Sequence, residues 1–150
     1  MKVVFLDFDG VLNCSTTPKE CSLDREFVER LNLLLEVSGA VVVLTTTWRL
    51  TTFADPLAGV TVCRNALDET GFRGEVIGLT PHLAKQGVPS IHRGLEIQAW
   101  LDAQPEKPES FVILDDDSDM AHLIPYLVKT TMKEGLQDVH VKQALEILGS

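Results

Sequence analysis

The chain has 150 residues, 45% of them hydrophobic and 6% aromatic, with a formal net charge of −9. That length suits one domain with a sizeable core. No apolar run is long enough to span a membrane, and the acidic balance excludes indiscriminate binding to a polyanion.

Met1-Lys2 leads directly into a strand-like run rather than a leader peptide. The three cysteines (Cys14, Cys21 and Cys63) lack paired metal-ligand spacing, which points to reduced thiols and a cytoplasmic protein. The four histidines (His82, His92, His122 and His140) are scattered and carry no zinc signature. Residues 2–7 predict a buried strand. From Leu23 to Val37, Phe27, Leu31, Leu34 and Leu35 share one helical face, with Ser22 as the candidate start and Gly39 as the stop. Ala40 to Thr45 is a second apolar strand. Across residues 50–92 Gly and Pro interrupt the periodicity, and only Glu75 to Leu79 reads as a strand. A helix over Gly94–Leu101, a loop bounded by Pro105 and Pro108, and a strand over Ser110–Leu114 follow. A short helix at 119–124, a strand over Tyr126–Thr131 and a helix over Asp138–Leu148 complete the chain. Apolar strands alternating with helices predict an α/β domain over residues 1–150, with a mostly parallel sheet covered on both faces. Ligands of such sheets gather at the carboxyl ends of the strands.

Two of those ends carry paired acids. Asp7-Phe8-Asp9-Gly10 directly follows Val3-Val4-Phe5-Leu6, and carboxylates at i, i+2 leave a strand on the same side. Like charges that close repel unless a cation lies between them, and Gly10 permits a sharp exit that brings backbone N–H groups near a ligand. Phe111-Val112-Ile113-Leu114 ends in the same way, at Asp115-Asp116-Asp117-Ser118-Asp119. A compact set of oxygens suits Mg²⁺, which takes one or two carboxylates with a phosphate and keeps several waters. Thr45-Thr46-Thr47 closes the second strand with hydroxyl and N–H groups able to hold phosphoryl oxygens. Arg93 or Lys85 supplies the positive charge that phosphoryl transfer requires.

In order and strand context these motifs resemble the haloacid dehalogenase (HAD) superfamily of phosphohydrolases. The first motif stands at Asp7-x-Asp9-Gly10-Val11, the second at Thr45, the basic third at Arg93, and the acidic fourth at Asp115-Asp116-x-x-Asp119. More narrowly, residues 9–13, 45–49, 78–81, 93–101 and 114–120 are similar to the small HAD domains associated with RNA-repair proteins, with Thr46-Thr47-Trp48-Arg49 where Ser-Ser-Trp-Arg is usual.

The resemblance implies a three-layer Rossmann-like core and a phosphatase. Asp7 would be the nucleophile and Asp9 the general acid and base. Mg²⁺ would be held by Asp7, the Asp9 carbonyl and Asp115, with Asp116 and Asp119 orienting waters or Arg93. Thr45 and the Thr46 N–H would grip the phosphoryl group. Trp48 and Arg49 would contact the substrate beyond it, with a core role for Trp48 as the alternative.

The gaps between motifs leave room for a minimal cap or none, so the site would be open. Five basic residues (Arg49, Arg64, Arg73, Lys85, Arg93) against four acidic ones make residues 49–93 +1, leaving −10 for the rest. If this stretch borders the site, an anion meets its least repulsive surface there. Both features favour a nucleotide or nucleic-acid end over a small metabolite phosphate. A phospho-accepting receiver domain fits poorly, because its acid pair and lone acceptor occur in the opposite order. A non-catalytic binding module would not need the full set of reactive groups.

Overall fold

The computed structural model describes residues 1–18, 22–50, 56–83 and 92–150. Five strands form one all-parallel sheet: β1 (Lys2–Leu6), β2 (Val41–Leu44), β3 (Val76–Leu79), β4 (Ser110–Asp115) and β5 (Leu127–Lys129), in the spatial order β3-β2-β1-β4-β5. Helices α1 (Arg25–Ser38), α2 (Pro56–Glu69), α3 (Arg93–Ala103) and α4 (Asp138–Leu148) cover it, with 3₁₀ turns at Thr47–Leu50 and Ala121–Tyr126.

Alternation along the strands sorts the core into two layers. Val4 and Leu6 of β1 join Val42, Leu44, Val112 and Leu114 against α1, α2 and α4. Val3 and Phe5 face the other way with Val43 and Ile113, against Ile97, Trp100 and Leu101 of α3 and Leu123 of the second 3₁₀ turn. The result is the expected Rossmann-like α/β core. Its strand order reverses at β1, so the crevice at the topological switch lies above β1 and its neighbours.

Most boundaries fall within a residue or two of the sequence expectation. The start of α1 differs: the cap is Asp24, whose side chain accepts from the Glu26 N–H at 3.0 Å, rather than Ser22. Gly39 ends the helix in the left-handed conformation at φ 71°. The larger difference is α2, which the sequence pattern did not reveal. Pro56 opens it, where its missing N–H costs nothing. Gly59 is required because a Cβ there would stand 3.2 Å from the Arg49 Cα and closer still to its carbonyl. Both residues read locally as breakers and act here as a helix start and a close approach. The short helix expected at 119–124 is the 3₁₀ turn Ala121–Tyr126. Within residues 50–92 the described elements, α2 and β3, belong to the core, and Lys85 lies outside the described residues.

Candidate active site

β1 pairs Leu6 with Leu44 of β2 on one side and with Leu114 of β4 on the other. One residue further along, this register sets Thr45, Asp7 and Asp115 side by side. Backbone bonds hold the row past the strand ends: Thr45 N–H donates to the Leu6 carbonyl at 2.9 Å and Asp7 N–H to the Leu114 carbonyl at 3.0 Å. All three residues are buried.

Asp7, Asp115 and Asp116 each offer an oxygen within 4.8 Å of the others. Arg93, the first residue of α3, reaches in from the side. Its Nη1 lies 3.0 Å from Asp7 Oδ2 and 2.9 Å from Asp115 Oδ2. Burial raises the Asp7 carboxyl above its ordinary range against the opposing pull of Arg93. Burial, and then the Asp7 charge, push Asp115 up to about 8. For Arg93 burial works against the charge, but Asp7 and Asp115 outweigh it and hold the guanidinium above its ordinary value. Three hard oxygen donors fit Mg²⁺. The Asp7 Oδ1 also accepts from the Phe8 N–H at 2.8 Å, and Asp115 Oδ1 from the Asp117 N–H at 2.9 Å, which fixes both carboxylates.

Thr45 Oγ1, on a fully buried residue, is enclosed without a hydrogen-bond partner among the described residues. A buried hydroxyl left unpaired costs free energy unless something binds it, and an oxygen-rich ligand on the row would do so. Thr46 is also buried, and its hydroxyl accepts from the Trp48 N–H at 3.2 Å.

The two remaining acids do other work. Asp119 Oδ2 accepts from the Arg93 backbone N–H at 3.3 Å, and its carbonyl accepts from Gly94 N–H at 3.2 Å. It ties the start of α3 to the acidic loop, and its side chain is absent from the three-carboxylate group found among the described residues. Asp9 is likewise outside that group: Oδ1 accepts from Asn13 Nδ2 at 2.9 Å and Oδ2 from Trp48 Nε1 at 3.1 Å.

Trp48 and Arg49 point inward. Trp48 is 7% exposed and its ring stands nearly perpendicular to that of Phe8, centroids 5.1 Å apart, in the core placement that is the alternative to a substrate contact. Arg49 is 6% exposed. Its guanidinium donates to the carbonyls of Thr45, Thr46 and Thr80 and pairs with buried Glu96 at 3.2 Å. Both residues brace the site from below.

The local charge balance also has a different cause from the one expected. Among the five basic residues of 49–93, Arg73 pairs with Glu29 and Glu36 of α1, and Arg64 reaches toward the Val76 carbonyl at the start of β3. Arg49 is spent on Glu96, and Lys85 is not described, so Arg93 carries the positive charge seen at the site.

Three supports were given no role from sequence, although Asn13 and Glu96 stand within the matching motifs. Asn13 Oδ1 accepts the Gly10 N–H at 3.0 Å while its amide holds Asp9. Thr130, fully buried, donates to the Gly10 carbonyl at 2.6 Å and takes the Asp115 carbonyl on its own N–H at 3.0 Å. Glu96 anchors Arg49 and accepts the Leu83 N–H at 3.1 Å. Gly10 itself, at φ 78°, passes so close to Asp116 that a Cβ would lie 2.5 Å from its Oδ2. Next to Arg93, a cleft of about 190 Å³ is lined by Thr47, Leu50, His82 and Asp119 over the Arg49–Glu96 pair.

An all-parallel α/β core whose strand ends bring together three carboxylates, a guanidinium and a hydroxyl unpartnered among the described residues is consistent with a HAD-type domain. The profile of the family described as "HAD domain in Swiss Army Knife RNA repair proteins" matches residues 3–141. The chain belongs to that family. No curated protein matches it significantly. Among the described residues, no helix is long and apolar enough to cross a membrane.

Proposed function

We propose that the chain is a Mg²⁺-dependent phosphomonoester hydrolase working through an aspartyl-phosphate on Asp7, with a nucleotide or the end of a nucleic acid as substrate. The observation that carries this is the row Thr45–Asp7–Asp115: a buried hydroxyl with no partner among the described residues, beside a carboxylate oxygen, beside an acid cluster bridged by a guanidinium.

Asp7 attacks phosphorus, and the bond from phosphorus to the ester oxygen breaks. Asp9 gives its proton to the departing alkoxide. A water then attacks the phosphorus of the aspartyl-phosphate, Asp9 takes the water's proton, and the bond to Asp7 breaks with release of inorganic phosphate. Thr45 Oγ1 and the Thr46 N–H hold the phosphoryl oxygens, and Arg93 offsets their growing charge. Bound through Asp7, Asp115, Asp116 and the Asp9 carbonyl, Mg²⁺ would neutralise the carboxylates and the phosphoryl oxygens. Asp119 keeps Arg93 in register.

The substrate class rests on the family's RNA-repair description and on the core assignment of α2 and β3, which leaves the described rim to short segments such as Thr47 and His82. A panel of mononucleotides, 3′- and 5′-phosphorylated oligonucleotides and sugar phosphates, assayed with Mg²⁺, tests it. Higher kcat/KM on nucleotide or oligonucleotide phosphates is expected. Preference for sugar phosphates would favour a small-metabolite phosphatase instead. Loss of all turnover in Asp7→Asn, with the fold retained, is the expected control.

A further inference from the structure

Asp7 and Asp9 are the same residue type two positions apart, yet they have opposite surroundings. Asp7 lies in the acid cluster against Arg93. Asp9 has one N–H donor on each carboxylate oxygen, Asn13 Nδ2 on Oδ1 at 2.9 Å and Trp48 Nε1 on Oδ2 at 3.1 Å.

Neither donor is free to drift. The Asn13 amide orientation is set by its own carbonyl, which must accept the Gly10 N–H, and its Nδ2 also reaches the Ser22 carbonyl at 3.2 Å. The Trp48 ring is packed edge-on against fully buried Phe8, and its backbone N–H is held by Thr46 Oγ1. An indole N–H only donates, so Trp48 gives Asp9 a fixed, one-way contact. With one oxygen held from each side, the Asp9 carboxylate cannot rotate freely into the neighbouring acid cluster.

We propose that Trp48 is a positioning residue for Asp9: its indole N–H holds the carboxylate apart from the cation-binding acids and in the orientation that serves the leaving-group oxygen. The inference rests on the hydrolase assignment above and adds a role for Trp48 that stacking on a substrate would not give. It also gives a reason for a tryptophan after the threonines that follow β2. The residue crosses from the tip of β2 to the acid after β1, a contact spanning 39 positions of sequence.

Leaving groups provide the test. An aryl phosphate with a stabilised phenolate leaves with little help from an acid, whereas an alkyl phosphate such as a mononucleotide needs proton donation, a contribution of about 10²–10⁴-fold. Trp48→Phe keeps a ring against Phe8 and removes the N–H. The expected result is a fall in kcat/KM, which reports formation of the aspartyl-phosphate and not the hydrolysis common to both substrates, at least about tenfold larger on a mononucleotide than on p-nitrophenyl phosphate. Equal losses on both substrates would overturn the positioning role while leaving the hydrolase assignment intact. A wild-type protein inactive on both would overturn the assignment, and this inference with it.

A second readout does not depend on turnover or on Trp48→Phe being active. In the ¹H–¹⁵N spectrum, the Trp48 indole resonance is expected to move upfield in Asp9→Ala relative to wild type, while that of Trp100 stays in place. An unmoved Trp48 resonance would overturn the contact itself.

Discussion

Gly94 sits where α3 meets the acidic loop, and replacing it with alanine should displace Arg93. A Cβ at this position would lie 2.8 Å from the Met120 Cα and closer still to that residue's carbonyl carbon and oxygen. These are backbone atoms, so no side-chain rotation relieves the overlap. Restoring ordinary contact requires the start of α3 to move by more than about 1 Å, and overpacking of this kind costs about 1–3 kcal/mol. Arg93 is the neighbouring residue, and its bridge to Asp7 and Asp115 at 3.0 and 2.9 Å would be stretched beyond hydrogen-bonding length. Misplacement of that size costs about 10²-fold in rate. Gly94→Ala should therefore lower kcat on p-nitrophenyl phosphate by about that factor while the protein still unfolds cooperatively in urea. Gly39→Ala is the comparison: its Cβ would meet nothing within 4 Å, but its φ is 71°, so it should lose about 1–2 kcal/mol from backbone strain alone and keep its activity. A Gly94→Ala protein with wild-type kcat, or with stability unchanged within about 0.5 kcal/mol, would refute the close approach as the reason Arg93 stands where it does.

The supports around the site give further outcomes. Thr130→Val leaves the Gly10 carbonyl without its buried donor and should cost about 1–3 kcal/mol in urea denaturation. Arg49→Met strands Glu96 in the interior and should cost about 3–5 kcal/mol, while Arg49→Met combined with Glu96→Leu recovers a substantial part, as measured by the urea midpoint. Mg²⁺ should raise the Tm of the wild type, and Asp115→Asn should weaken that effect by removing one of the three clustered carboxylates. His140 accepts the Gln137 N–H on Nδ1 in the cap of α4, and burial lowers its pKa. The unfolded chain then binds the extra proton more readily, so this cap's contribution is complete above about pH 6.5 and is lost as pH falls. His140→Gln, which can cap without titrating, should flatten that part of the stability-versus-pH curve.

Much of the site could be read from the chain because buried parallel strands leave a plain signature. Val3–Leu6, Val41–Leu44 and Phe111–Leu114 are apolar on both faces, and the first polar residue after each marks a strand tip. Local sequence could not show which way side chains turn once the strand ends. Trp48 and Arg49 follow the second motif, where sequence offers a substrate contact for both and a core place for Trp48 as well; both are buried, with partners at Asp9 and Glu96 that are far away in sequence. Thr130 is a stronger case: its bond to Gly10 spans 120 positions, and a threonine ending an edge strand carries no local mark of it. The helix α2 was hidden for a related reason. Its glycine answers to the neighbouring Arg49 backbone, a tertiary demand that periodicity cannot register.

The central claim is that the Asp7 carboxylate becomes phosphorylated during turnover. Rapid-quench of the Mg²⁺-loaded protein with substrate, followed by borohydride reduction of acyl phosphates and peptide mass spectrometry, should convert Asp7 to homoserine in the wild type. Asp7→Asn should show no such product. Hydrolysis proceeding at full rate in Asp7→Asn, or reduction trapped at another carboxylate while Asp7 stays unmodified, would contradict the account.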